Sequence, residues 1–285
     1  MHWLKVIKAK DKLAEYLLDF QLCVAGGPFP YLACPYPLTA AIYVALRWKQ
    51  AQELMECSKS DIDALFKAFF WRNALAERYD QGFLSQMPTD LKKLIEMLIN
   101  KKMYKSTSEW LKEYCKYQFD LMFKNDNSVM SFEKINTLVK QKLQNGAMNK
   151  ALSLHFVAKP GKDIITNIDL SINTEGEQDM HHIFPKAWCE KNGIKENDDM
   201  REAIESIANM MPLSRKTNNE WKDKSPSHYI NIKKMDYETL RNQLENYYID
   251  KCCFDFLATA KPLEFWDRRA DLMARDIYEK QLLKI

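Results

Sequence analysis

The sequence predicts a mainly α-helical protein carrying one small strand-bearing core. Three observations predict it. Only 7 of 285 residues are Gly, too few for the tight turns of a sheet-dominated architecture. Apolar and aromatic residues recur at helical spacing through the first half. Near residue 150 the period shifts to strand-like alternation, and from residue 236 it is helical again. The expected organisation is a helical region over 1–147, a core with short strands over 148–235, and C-terminal helices over 236–285 packed on that core.

Each element has its own signal. In PLTAAIYVALRW, Pro37 suits a first helical turn and an Ala-rich run follows. In SKSDIDALFKAFFWRNALAERY, Ser60 and Asp63 have capping-box spacing, with Asp in place of Glu. Ile62, Leu65, Phe66, Phe69 and Phe70 then mark the buried face. TSEWLKEYCKYQFDLMF places Trp110, Tyr114, Tyr117 and Leu121 on one face, and SFEKINTLVKQKL does so with Phe132, Ile135 and Val139. These aromatic stripes have the period of core packing, which outweighs a base-stacking role. QNGAMN reads as a loop. In NIDLSIN, Ile168, Leu170 and Ile172 alternate with polar residues, as in a half-buried strand. NTEGEQD reads as a turn and MHHIFP as a second strand ended by Pro185. KAWCEKNG is a helical turn closed by Gly193, and NDDMREAIESI a helix with Met200, Ile204 and Ile207 inward. NMMPL is extended. SRKTNNEWKDK, SPSHYINIKKM, DYETLRNQLENYY and PLEFWDRRADLMARDIYEKQLL are helices.

Bulk properties exclude several functions. Neither GxxxxGK[ST] nor GxGxxG occurs, which argues against a P-loop or Rossmann nucleotide site. The net charge of +3 is neutral on nucleic-acid binding, since a total says nothing about a local patch. The 7 Cys form no CxxC pair, against a thiolate zinc ribbon. The odd count in a long chain suggests reduced thiols, and adjacent Cys252 and Cys253 read as helix packing. The start, MHWLKVIKAKDK, lacks the apolar segment of a signal peptide. The most apolar stretch is about half the length a bilayer needs. The expectation is a soluble, cytoplasmic protein with no membrane partner.

The chemistry concentrates in EQDMHHIFPKAW. Two of the 5 His stand together there, two residues after Asp179. On a strand, Asp179 and His181 share one face and His182 takes the other, so the two rings cannot hold one ion. His181 is then a metal-ligand candidate beside Asp179, and His182 a general base. A hard ion needs oxygen ligands too. Downstream, IANMMPLSRKTNNEWKDKSP offers Asn209 at a helix end and Asn218 on the next short helix. A sparse protein shell completed by water suits Mg²⁺, with Mn²⁺ as its substitute. The plain alternative is a buried His pair with no chemistry, though two polar rings on opposite faces are awkward to satisfy in one core. His155 and His228 read as structural or surface residues.

DMHHIFP followed by IANMMPLSRKTN resembles the ββα-metal, or HNH (His-Me finger), nuclease motif. The resemblance implies His181 as metal ligand, His182 as base, Asn209 as the Asn that steadies the loop, and Asn218 as second ligand. Asp179 matches an acidic position two before the ligand, and Asn219 is a shifted candidate for Asn218. The wider run is similar to the nuclease part of GmrSD-type, modification-dependent (type IV) restriction enzymes. Those enzymes carry a ParB-like NTPase that senses modified DNA, for which no sequence is visible here. The implied activity is metal-dependent hydrolysis of DNA phosphodiesters in restriction of phage or modified foreign DNA. The implied partners are DNA and an NTPase or sensor on another domain or subunit. The helical first half is expected to position DNA, contact that sensor or hold the nuclease inactive. Lys224, Arg215 and Lys216 are weak candidates for phosphate contacts, a solvated surface role being the simpler reading. Two other readings stand beside this one. One is a non-catalytic DNA-binding or protein-interaction module with a degenerate HNH fold. The other is a helical scaffold in which the motif is coincidental.

Overall fold

The computed structural model describes residues 9–54, 56–122, 131–142, 146–157, 161–170, 178–194 and 197–283. The protein is mainly α-helical, with two two-stranded sheets among the described residues. The chain divides into two compact units. The first holds residues 1–130, 146–151 and 279–285; the second holds 131–145 and 152–278.

The first unit contains α1 (Lys10–Ala25), α2 (Thr39–Gln50), α3 (Lys59–Leu75), α4 (Phe83–Asn100) and α5 (Thr107–Met122). Helix α3 is its centre, and Ile62, Leu65, Phe66, Phe69 and Phe70 are all buried, as their spacing predicts. Phe66 meets Phe20 of α1 and Tyr43 of α2 edge-on, at 5.8 and 5.0 Å between centroids. Such pairs add to the burial of their area. The capping box of α3 is Ser58 with Asp61, two residues earlier than the Ser60–Asp63 spacing suggests. Asp63 lies inside the helix and accepts from the Tyr43 hydroxyl instead. On α5 the buried line is Trp110, Tyr114 and Gln118; Tyr117 is half-buried and Leu121 exposed. The stripe turns there because Gln118 accepts a hydrogen bond from buried Arg72.

The second unit contains α6 (Phe132–Val139) and most of α7 (Ala147–Val157), then β1 (Gly161–Lys162), β2 (Asp169–Leu170) and β3 (Gln178–His182). It continues through α8 (Lys186–Lys191), α9 (Asp198–Ile204), a 3₁₀ turn (Ile207–Asn209), β4 (Met210–Ser214) and α10 (Arg215–Trp221). Helices α11 (Pro226–Lys233), α12 (Tyr237–Asn246), α13 (Lys251–Ala258) and α14 (Pro262–Ile277) follow. Helix α14 packs on α6 and α13. Cys253 of α13 is buried and Cys252 exposed, as helix packing predicts.

Strand β3 pairs antiparallel with β4, and β1 with β2. The NIDLSIN expectation is met only over Asp169–Leu170. Ile168 is exposed rather than sharing a buried face with Leu170, because Asn167 takes a left-handed turn (φ 56°) just before it. Ile172 and most of NTEGEQD lie outside the described residues. Gly161 is required where it stands: a Cβ there would sit 2.3 Å from the Tyr247 hydroxyl oxygen, inside van der Waals contact. Met200 is half-buried, whereas Ile204 and Ile207 are buried. No helix among the described residues is long and apolar enough to cross a membrane.

Candidate active site

The site is built on β3, β4 and α10. The β3–β4 register pairs Asp179 with Leu213, His181 with Met211, and His182 with Met210. Alternation along β3 turns Asp179 and His181 to one side and His182 to the other. Helix α10 follows β4 directly, because Ser214 caps it by accepting from Thr217 N. It packs back over both strands. That return brings Asn218 against the Asp179–His181 face.

There the three side chains form a chain. Asn218 Nδ2 donates to Asp179 Oδ2 at 3.0 Å, and Asn218 Oδ1 meets His181 Nδ1 at 2.8 Å. Thus Asn218, not its neighbour Asn219, reaches His181; Asn219 is exposed. His181 is buried, its ring 4.8 Å from that of Trp221, which itself stacks on Tyr229 at 4.5 Å. Burial pushes its pKa down to about 4, partly offset by Asn218, while His182 lowers it further. At neutral pH the ring is uncharged and has a lone pair to give. Its Nε2 is buried without a hydrogen-bond partner among the described residues.

His181, Asn218 and Asp179 are the side chains here that could hold a small divalent ion. In this arrangement Nδ1 donates to Asn218 Oδ1, so the free lone pair is on Nε2, and a metal held by Nδ1 and Oδ1 would have to replace that hydrogen bond. Among the described residues no cluster of three or more His, Cys, Asp or Glu forms a metal site. A His–Asn pair with one nearby carboxylate lies outside that pattern; a metal held there would take most of its shell from water, as Mg²⁺ prefers.

His182 is separate from this chain. Its side chain is 31% exposed, and its Nε2 lies 3.6 Å from Glu205 Oε2. Asn209 holds the backbone beyond it. Fully buried Asn209 accepts from Phe184 N through Oδ1 at 2.9 Å and donates through Nδ2 to Phe184 O and Ile204 O. Its own carbonyl accepts from Ile183 N at 2.7 Å. These side-chain hydrogen bonds all go to backbone, so Asn209 steadies the segment that presents His182.

The weaker candidates separate. Lys224 turns its ammonium group to the carbonyls of Glu220 and Trp221 at the end of α10. That is a helix C-terminal contact. Arg215 and Lys216 are exposed at the start of α10. His155 is a structural residue, buried against Asp276 at 2.9 Å, and His228 is exposed.

Two supporting residues have no sequence signal. Asp163, fully buried, accepts from Ile165 N, Thr166 N and Thr217 Oγ1 through Oδ1 and from Ser214 N through Oδ2. These bonds hold its carboxyl below its usual pKa against the opposing effect of burial. Arg269 of α14, also buried, donates to the carbonyls of Tyr247, Ile207, Ala208 and Met210. Burial lowers its pKa to about 10. It therefore fixes the turn that carries Asn209.

No family model matches this sequence, and no solved structure matches it. The chain is similar to an uncharacterized protein of Methanocaldococcus jannaschii, 27% identical over 170 residues. The match covers 60% of this chain but only a quarter of the relative's length.

Proposed function

We propose that this protein is a metal-dependent DNA endonuclease of the HNH (ββα-metal) type, acting in restriction of phage or modified foreign DNA. One observation carries the reading. A ββα unit joins Asp179, Asn218 and His181 on one side of a strand and presents His182, backed by Asn209, on the other.

His181 and Asn218 would hold the ion, with Asp179 orienting the Asn218 amide. An ion held there would supply positive charge to stabilise the negative charge that develops on the phosphate. His182 takes a proton from a water as that water's oxygen bonds to phosphorus. The P–O3′ bond breaks, and the 3′ oxygen gains a proton from solvent. The products are a 5′ phosphate and a 3′ hydroxyl. Asn209 holds the base in place throughout. Arg215 and Lys216, exposed at the start of α10, would be available for phosphate contacts. A sensor of modified DNA, with or without NTP hydrolysis, would come from another domain or subunit.

Calorimetric titration with Mg²⁺ and Mn²⁺ tests the metal half of this reading. Wild type is expected to bind one ion, and His181→Ala and Asn218→Ala to lose that binding while staying folded by circular dichroism. A wild-type protein that binds neither ion contradicts it.

A further inference from the structure

The two sides of the His182 ring differ. Nε2 is closed off from solvent, makes no hydrogen bond among the described residues, and faces Glu205 Oε2 at 3.6 Å. Nδ1 is not among the buried unpaired atoms and has no bonding partner among the described residues, so the exposed part of the ring carries it. Glu205 is itself held. Its other oxygen, Oε1, accepts a hydrogen bond from Lys186 Nζ at 2.6 Å. The Lys186 contact is the main reason the Glu205 carboxyl stays below its usual pKa. The backbone links the same parts. Asn209 Nδ2 bonds the carbonyl of Ile204, next to Glu205, and that of Phe184, two residues after His182. Lys186 opens α8 and Glu205 ends α9.

We propose that Glu205, anchored by Lys186, is a positioning residue that sets the tautomer of His182, with the proton on Nε2 and the lone pair on Nδ1. The role of that lone pair as the catalytic base rests on the nuclease reading above; the tautomer does not. A carboxylate facing one ring nitrogen selects the proton-bearing form there, and the other nitrogen becomes the acceptor. The 3.6 Å separation exceeds a hydrogen bond, and such contacts commonly tighten only once substrate is bound. Without Glu205 the neutral ring would divide between its two tautomers. The fraction with its proton on Nδ1 could not accept one from water there.

Imidazole ¹⁵N spectra of the full chain at pH about 8 test this directly. His182→Gln assigns the signal among the 5 His. Wild type is expected to show the Nε2–H tautomer. Glu205→Gln is expected to lose it, because Lys186 keeps the one amide oxygen and the NH₂ then faces Nε2. Glu205→Ala and Lys186→Met are expected to mix the two forms, the latter less. Glu205 is partly exposed, so its variants should fold, which circular dichroism checks. In DNA cleavage, Glu205→Ala should lower kcat by about ten- to a hundredfold with KM changed less than about twofold, and Glu205→Gln should fail to restore it. A wild-type ring protonated on Nδ1, or a tautomer unchanged by Glu205→Ala, overturns the proposal. If wild type cuts no DNA, the catalytic reading fails while the spectra still decide the role of Glu205.

Discussion

Asp163→Asn should weaken the second unit and disturb the Asn218 site some distance along the chain. Asp163 uses both carboxylate oxygens. Oδ1 takes three donors, at 3.0, 2.7 and 2.8 Å, and Oδ2 takes Ser214 N at 2.7 Å. An Asn there would turn its oxygen to the three-donor side and set an NH₂ against Ser214 N. One bond to a charged acceptor, worth about 1.5–3 kcal/mol, is removed, and three others fall to neutral strength at roughly 0.5–1 kcal/mol each. The expected destabilisation is about 3–6 kcal/mol, a large part of an ordinary domain's roughly 5–15 kcal/mol. Because Ser214 caps α10, the variant should also weaken metal binding at His181 and Asn218. Urea denaturation measures the first effect and calorimetry the second. The pH dependence has a fixed sign. The folded pKa lies below the unfolded value, so this stabilisation is complete above about pH 4–5 and is lost as pH falls through the folded pKa. The gap between wild type and variant should therefore be full at pH 7 and shrink in acid. A loss below about 1 kcal/mol at pH 7, or a gap that widens in acid, would refute this account of Asp163.

Other predictions rest on the same network of hydrogen bonds and exposed charges. Arg269→Met keeps the apolar stem but leaves the carbonyls of Tyr247, Ile207, Ala208 and Met210 short of a donor; thermal unfolding should show a loss of about 3–5 kcal/mol. Asn209→Ala leaves Phe184 N and two carbonyls unpaired. It should cost about 2–4 kcal/mol in urea and slow DNA cleavage beyond what the unfolded fraction explains. Lys224→Ala removes a helix-end interaction and should cost about 0.5–1 kcal/mol without changing DNA affinity measured by fluorescence anisotropy. Arg215→Ala with Lys216→Ala should instead lower the slope of log affinity against log salt, by about 0.9 for each phosphate that the pair neutralises in wild type.

The helical skeleton and the site are legible for different reasons. The face of α3 can be read because its five apolar residues keep strict helical spacing and all enter one core. The end of the α5 stripe cannot, because the Arg72–Gln118 hydrogen bond overrides the pattern and leaves Leu121 outside. The α3 cap lies two residues before the predicted one, since SKSDID contains two overlapping Ser-x-x-Asp frames and spacing alone cannot choose between them. In the site, alternation along β3 correctly separates His181 from His182. The 37-residue step from His181 to Asn218 is closed by the register of β3 on β4, which no local pattern encodes. Asp163, Glu205 and Arg269 act through backbone groups or across several elements. In the sequence each is one more charged residue.

The central claim is tested most directly by incubating the protein with plasmid DNA and Mg²⁺ or Mn²⁺, beside His182→Ala and a sample with EDTA. The account predicts nicked or linear DNA from wild type, bearing 5′ phosphates, and intact plasmid in both controls. Cleavage that survives His182→Ala, or that proceeds in EDTA, would contradict it.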